Sequence, residues 1–213
     1  MAAVVAPGVE SISQMSPRTK AVVMAGTLLG LFTAAMDQTV VGTSMPRIIA
    51  DLGGFGLFSW VGTGFMMAST ATVPIIGKLS DIYGRKPFYM AGILVLLIGS
   101  ALSGYSQNVE QLIAFRVIQG LGAGMIMGIA FAIVADVFTP AERGRWSGLM
   151  SGVFASASVL GPLIGGTLTD HASWRWVFYV NIPLGGVALA VLMMGMPNIR
   201  PNRDARLDYR GIV

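Results

Sequence analysis

Apolar residues run along this chain in six long blocks, at approximately 21–46, 56–77, 87–106, 111–135, 146–169 and 176–197, and Pro, Gly and charged residues cluster between them. A helix needs about 20 mostly apolar residues to cross roughly 30 Å of hydrocarbon at about 1.5 Å per residue. Each block is long enough, so the pattern predicts six spanning helices and an all-α fold. The connections are short, which predicts antiparallel neighbours. On this reading residues 1–19 form a tail, 20–198 a six-helix transmembrane bundle, and 199–213 a linker with the truncated start of a seventh span. The first block starts after Arg18 and Lys20 and outruns the roughly 7–15 apolar residues of a signal-peptide core, so no cleavable leader is expected.

Composition agrees with a membrane chain. Of the 213 residues 54% are apolar and 11% charged, against roughly 25% charged in an ordinary soluble domain. The chain has no cysteine and a single histidine, His171, so neither a thiolate nor a His-based metal cluster can be built. No nucleophile–base pair stands out either, and neither enzyme activity nor a cofactor is expected.

The placement of charge sets an orientation. Eleven Lys and Arg residues lie in the tail, in the second and fourth connections and after the sixth block. Only Arg47 and Arg175 lie in the other connections, and Arg116 is inside a block. The positive-inside rule then puts both termini in the cytoplasm of a multi-pass plasma-membrane protein. The net charge of +4 is explained by orientation and calls for no nucleic-acid partner. Trp174, Trp176, Phe178 and Tyr179 fall where an aromatic belt at the outer interface is expected.

Two segments echo each other. Gly77-Lys78-Leu79-Ser80-Asp81 ends the second block and Gly166-Thr167-Leu168-Thr169-Asp170 ends the fifth. If blocks one to three and four to six are two copies of a three-helix unit, these ends lie on opposite membrane faces, as in an inverted-topology repeat. Four matching positions out of five fit coincidence as readily as common descent.

Two charges interrupt the blocks. Asp37 lies about 25 Å along its helix from Lys20. A carboxylate there costs on the order of 2.5–3.5 kcal/mol to insert, which marks it as a functional candidate and a natural proton carrier. The alternative is that it snorkels to the surface or caps a kink near Pro46. Arg116 falls at a similar depth, where it pairs with Asp37 or else bonds backbone carbonyls and ties helices together. Gln119, one turn further in, can extend either network.

Glycine spacing carries a second signal. Gly120, Gly124 and Gly128 repeat every fourth residue, as do Ala157, Gly161, Gly165 and Thr169, and both rows suit close helix contact. Pro162 removes a backbone hydrogen bond and permits a bend. A dinucleotide loop around Gly120 is excluded, because Met125 breaks the G-x-G-x-x-G spacing and no strand precedes it.

Taken together these residues resemble the major facilitator superfamily, and within it the fourteen-span drug:proton antiporter branch. "GKLSDIYGRKP" is similar to that family's signature loop through Gly77, Asp81, Gly84, Arg85 and Lys86. "LIAFRVIQGLGAG" resembles its fourth-span motif through Arg116, Gln119 and Gly120, and "SVLGPLIGG" its fifth-span antiporter motif through Gly161, Pro162, Gly165 and Gly166. "MDQTVVGTSMP" resembles the first-span motif of the branch at Asp37, Thr39 and Pro46, and "WRWVFYVNIPLGG" the approach to its sixth span.

The resemblance implies the N-terminal bundle of a major facilitator fold, built as two inverted three-helix repeats. It implies proton-coupled efflux of amphipathic, drug-like molecules, powered by the proton gradient without a cofactor. Asp37 and Arg116 would couple the proton, Gln119 and Thr39 would belong to the substrate pathway or its network, and the Gly77–Lys86 loop would switch conformation. The expected partners are the lipid bilayer, a small-molecule substrate, and a missing C-terminal bundle or a second copy. Proton-coupled uptake, or a half-length protein that binds or regulates without transporting, stay open as alternatives.

Overall fold

The computed structural model describes residues 15–197. The first fourteen residues of the expected tail and the linker expected over 199–213 lie outside them. Helix α1 spans Pro17–Leu52, and a 3-10 turn at Phe55–Leu57 leads into α2, Phe58–Tyr83. Then follow α3 (Arg85–Tyr105), α4 (Val109–Val137), α5 (Pro140–His171), the single turn α6 (Trp176–Tyr179) and α7 (Asn181–Gly195). Among the described residues there is no strand.

Local chemistry explains where these helices start and stop. The Ser16 hydroxyl accepts the Thr19 N–H at 3.2 Å, with Pro17 opening α1 where its missing N–H costs nothing. Asn108 caps α4 through the Gln111 N–H at 2.9 Å, and Thr139 with Glu142 forms a capping box on α5. Gly84 has φ 106°, a conformation that L side chains rarely adopt, so the chain reverses there between α2 and α3. At the far ends, Arg143 bonds the carbonyls of Ala135 (2.6 Å) and Phe138 (3.1 Å) that close α4. Arg175 bonds those of Gly104 (3.0 Å) and Ser106 (2.7 Å) that close α3.

Five helices are long and apolar enough to cross a membrane: α1, α3, α4, α5, and α6 with α7 taken together. The second predicted span differs. At 26 residues α2 is long enough. Its sequence, FSWVGTGFMMASTATVPIIGKLSDIY, is diluted by Ser, Thr and Gly and closes on Lys78 and Asp81, and it is not among the five.

The packing is reciprocal. Helix α4 packs on α2 and α3, and α1 packs on α5 and α7. The two groups join where α1 meets α4 and α3 meets α7. Glycines make the first set of contacts possible: a Cβ at Gly120 would strike the Phe65 backbone, one at Gly124 the Ser69 backbone, and one at Gly122 the α3 backbone at Leu96. Without those side chains α4 approaches two neighbours to backbone contact, the arrangement that stabilises helix pairs in a lipid setting. Between α1 and α5 the same device recurs, with Gly161 facing Thr39 and Gly165 facing Val40.

One local expectation is corrected, and one loop glycine has an unexpected role. Trp174 and Phe178 are buried rather than facing an interface, because Trp174, Val177 and Phe178 share the inward side of the α6 turn; Trp176 is the exposed one. Gly77 serves no close approach, since a Cβ there would meet open space. Its carbonyl is the working group, accepting from Ser80 Oγ at 2.9 Å and Arg85 Nη1 at 3.3 Å.

Candidate functional site: a buried carboxylate–guanidinium cluster

Asp37 sits in the middle of α1 with none of its surface exposed, so its side chain does not snorkel. Arg116 of α4 donates from Nη1 to Asp37 Oδ2 at 2.5 Å and to Gln119 Oε1 at 2.9 Å. Its partners are side chains rather than backbone carbonyls. Gln119 returns to the acid, donating from Nε2 to Asp37 Oδ1 at 2.6 Å. The spacing of Arg116 and Gln119, one turn apart, puts both on the α4 face that meets α1. Beneath the guanidinium lies the Phe65 ring of α2, with the Arg116 Cζ 4.1 Å from its centroid.

Two further residues complete the cluster, and sequence reasoning did not single them out. Asn181, the first residue of α7, donates from Nδ2 to Asp37 Oδ1 at 2.7 Å and to Ser100 Oγ at 2.9 Å. Ser100 of α3 also accepts from Gln119 Nε2 at 3.1 Å and donates from its hydroxyl to the Phe178 carbonyl at 2.8 Å. Both were visible as polar residues inside apolar runs, in "LLIGSALSG" and "YVNIPLGG". A serine is too common in such runs to stand out, and the asparagine sits beside the sixth block's polar approach.

The cluster thus ties together α1, α3, α4 and α7. A buried ion pair is stable only with near-complete hydrogen bonding, because each charge has lost its water. Here the carboxylate receives three donors, and removing one partner of the pair leaves the other charged and uncompensated. Chemically it is a site whose charge balance one proton can tip.

Thr39 lies outside this cluster. Its hydroxyl bonds the Met36 carbonyl at 3.0 Å and, across to α5, the Ala157 carbonyl at 2.9 Å. Ser44 continues that seam, reaching Thr169 Oγ1 at 2.8 Å. Gly161 and Gly165 form the α5 side of it, whereas Pro162 is exposed and Gly166 faces open space. Beyond the seam an open cleft of about 490 Å³ is lined by Thr43, Pro46, Arg47, Gly166, Thr169 and Asp170.

A second charged cluster stands at the Gly84 end. Arg85, nearly buried, donates from Nε to Asp136 Oδ2 at 2.8 Å and from Nη1 to Ser80 Oγ at 2.6 Å, and pairs through Nη2 with Asp81. Asp81 therefore holds Arg85. Lys86 reaches the Met193 carbonyl on α7 at 3.2 Å. The loop residues Gly77, Asp81, Gly84, Arg85 and Lys86 are thus joined to α2, α4 and α7.

Known proteins share this chain's sequence and fold. The "Multidrug resistance protein 3" of Bacillus subtilis is 48% identical over 195 residues, 92% of this chain and 38% of that protein. The "Multidrug transporter protein MdtP" of the same organism is 38% identical over 199 residues, 93% of this chain and 36% of that protein. The chain therefore spans less than half the length of the curated relatives it matches. Among solved structures, the human organic anion transporter MFSD10 superposes with a TM-score of 0.74 at 20% identity, covering 92% of this chain and 53% of that one. The proton:xylose symporter XylE superposes with a TM-score of 0.78 at 13% identity, covering 87% of this chain and 46% of that one. Those two likenesses speak for the fold. The Major Facilitator Superfamily model matches residues 27–211, and the chain belongs to that family of membrane transporters, which are not enzymes.

Proposed function

We propose that this chain is the N-terminal six-span bundle of a proton-coupled antiporter that exports amphipathic, drug-like molecules across the cytoplasmic membrane, with both termini on the cytoplasmic side. The observation that carries the reading is the fully buried Asp37–Arg116 pair, 2.5 Å apart. The names of the two Bacillus relatives, a multidrug resistance protein and a multidrug transporter, support the substrate class. The reciprocal packing of α1 and α4 supports two inverted three-helix repeats, with α2 counted as the second of six spans.

In this mechanism Asp37 takes a proton from the outside. Once it is neutral, Arg116 is left as a buried cation with Gln119 Oε1 and the Phe65 ring for company. An uncompensated buried charge costs several kcal/mol, enough to favour a different arrangement of the helices that hold it. A cationic substrate and the proton then compete for the same carboxylate. The α1–α5 seam at Gly161 and Gly165, with Pro162 in α5, permits the rocking. The Gly77–Lys86 loop holds one of the two states. A second bundle, either the C-terminal half or another copy, covers the exposed sides of α2 and α5.

The test is transport by the two-bundle protein in inverted vesicles, with a panel of lipophilic cations and with or without a proton gradient. The Asp37→Asn protein should insert normally and lose gradient-driven accumulation. Accumulation equal to the parent's removes Asp37 from the mechanism, and substrate movement down the proton gradient instead of against it identifies an uptake system.

A further inference from the structure

Every group now touching the Asp37 carboxylate is a donor. Oδ2 receives Arg116 Nη1 at 2.5 Å, and Oδ1 receives the amide nitrogens of Gln119 at 2.6 Å and Asn181 at 2.7 Å. That set suits a carboxylate and leaves a protonated carboxyl with nowhere to place its O–H, because a guanidinium has no acceptor. Its charged neighbour is Arg116 on α4; no acidic or basic side chain of α2, α3, α5, α6 or α7 bonds to it among the described residues.

We propose that Asn181 is the residue that answers the proton: its amide donates to the Asp37 carboxylate, and turns over to accept when that carboxyl is protonated. The proposal rests on the reading of Asp37 as the proton carrier. The alternative, Gln119, is locked. Its Oε1 accepts from Arg116 Nη1 at 2.9 Å and from Ser103 Oγ at 3.3 Å, so turning it would set an NH2 against a guanidinium. Asn181 has no such lock. Its Oδ1 is buried and has no partner among the described residues, while its Nδ2 makes both of the side chain's bonds. Turning the amide by half a rotation therefore breaks no bond to Oδ1.

The protons balance. In the present state Ser100 Oγ accepts from Asn181 Nδ2 and donates from its hydroxyl to the Phe178 carbonyl. After the turn, Asn181 Oδ1 accepts from the new Asp37 O–H and from Ser100 Oγ–H. One amide atom of Asn181 is without a partner in either state, so within that side chain the exchange leaves the number of unsatisfied atoms unchanged. The Phe178 carbonyl loses its donor, and it lies three residues before Asn181, at the break between α6 and α7. Asn181 is thus a positioning residue that passes the protonation of α1 to the start of α7.

The experiment is infrared difference spectroscopy of this chain in lipid bilayers, taken between alkaline and acid buffer with isotopically labelled asparagine. A carboxyl signal absent from Asp37→Asn should appear on acidification, and a labelled side-chain amide band should shift with the same midpoint. That band should be lost in Asn181→Leu, or in Asn181→Ser if the leucine variant does not insert. A carboxyl signal from Asp37 with an unchanged amide band overturns this proposal and leaves the proton site standing. No carboxyl signal dependent on Asp37 overturns both.

Discussion

Asp37 and Arg116 are 79 positions apart in the chain, on α1 and α4, and their charged atoms meet at 2.5 Å with at most 2% of either side chain exposed. Among the described residues theirs is the one ion pair that joins the group α2, α3 and α4 to the group α1, α5 and α7. The pair is at once the most expensive feature of the interior and the link between α1 and α4.

Removing one member should therefore cost more than removing both. Arg116→Ala is expected to lower stability by about 3–5 kcal/mol, because it leaves a buried carboxylate unpaired. The double variant Asp37→Leu with Arg116→Met should recover most of that loss while transporting nothing. Unfolding of the purified variants in detergent measures the first part, and vesicle transport the second.

Glycines that look alike in the sequence should respond differently to alanine. At Gly120 a Cβ runs into the Phe65 backbone, and at Gly161 it runs into Thr39. Gly120→Ala and Gly161→Ala should each destabilise by about 1–3 kcal/mol, since the Phe65 backbone cannot step aside and the Thr39 side chain is held by the Met36 and Ala157 carbonyls. Gly77→Ala and Gly166→Ala enter open space within helices and should be neutral or stabilising by roughly 0.5–1 kcal/mol. Thermal unfolding of the four variants decides the order. A transport defect in Gly166→Ala without loss of stability would mark that surface as one that a second bundle covers.

Arg85 should not tolerate lysine. Its guanidinium serves Asp136, Ser80 and Asp81 from three different nitrogens, a fork that a single ammonium cannot reproduce. Arg85→Lys is expected to lose about 1–3 kcal/mol, and Arg85→Ala more, since Asp136 is left without the cation at its side. Comparing the two by unfolding separates the geometry of the contact from its charge.

The Trp174 end should be loosened by removing one aspartate. Trp174 donates from Nε1 to Asp51 Oδ2 at 2.8 Å, and Arg175 lies over the same indole with its Cζ 4.4 Å from the ring. Asp51→Ala removes the acceptor of a buried indole N–H and should cost about 1–3 kcal/mol. Accelerated hydrogen exchange at the start of α6 is the expected signature, with the Gly84 end unchanged.

Much of this molecule was legible in the order of its residues. Blocks of apolar residues gave the helices, since a chain in hydrocarbon must satisfy its backbone internally and a helix does so with near neighbours only. Asp37 and Arg116 stood out because charge is rare in such blocks, and the four-residue glycine rows announced close contacts. The block at 56–77 misled on apolarity, because alternating Ser, Thr and Gly lengthen an apolar run without making it strongly so. The resemblance puts Thr39 with Gln119 in the substrate pathway or its network, but two residues from Asp37 on a helix its side chain points about 200° away from the carboxylate. Its hydroxyl turns to α5 instead.

What the sequence determined by itself was everything set by local periodicity and solvent: the helices, their breaks, the family, and two charges that had to be hidden or paired. Only the tertiary structure decided which groups hide them. Ser100 and Asn181 lie 81 positions apart and belong to helices whose own residues give no hint of each other, so their meeting at Asp37 follows from how α3 and α7 pack. The same holds for Gly77, where a small residue signals close contact in one helix face and open space in another. Spacing along a helix fixes the face a residue shares, and the packing of other helices fixes what that face meets.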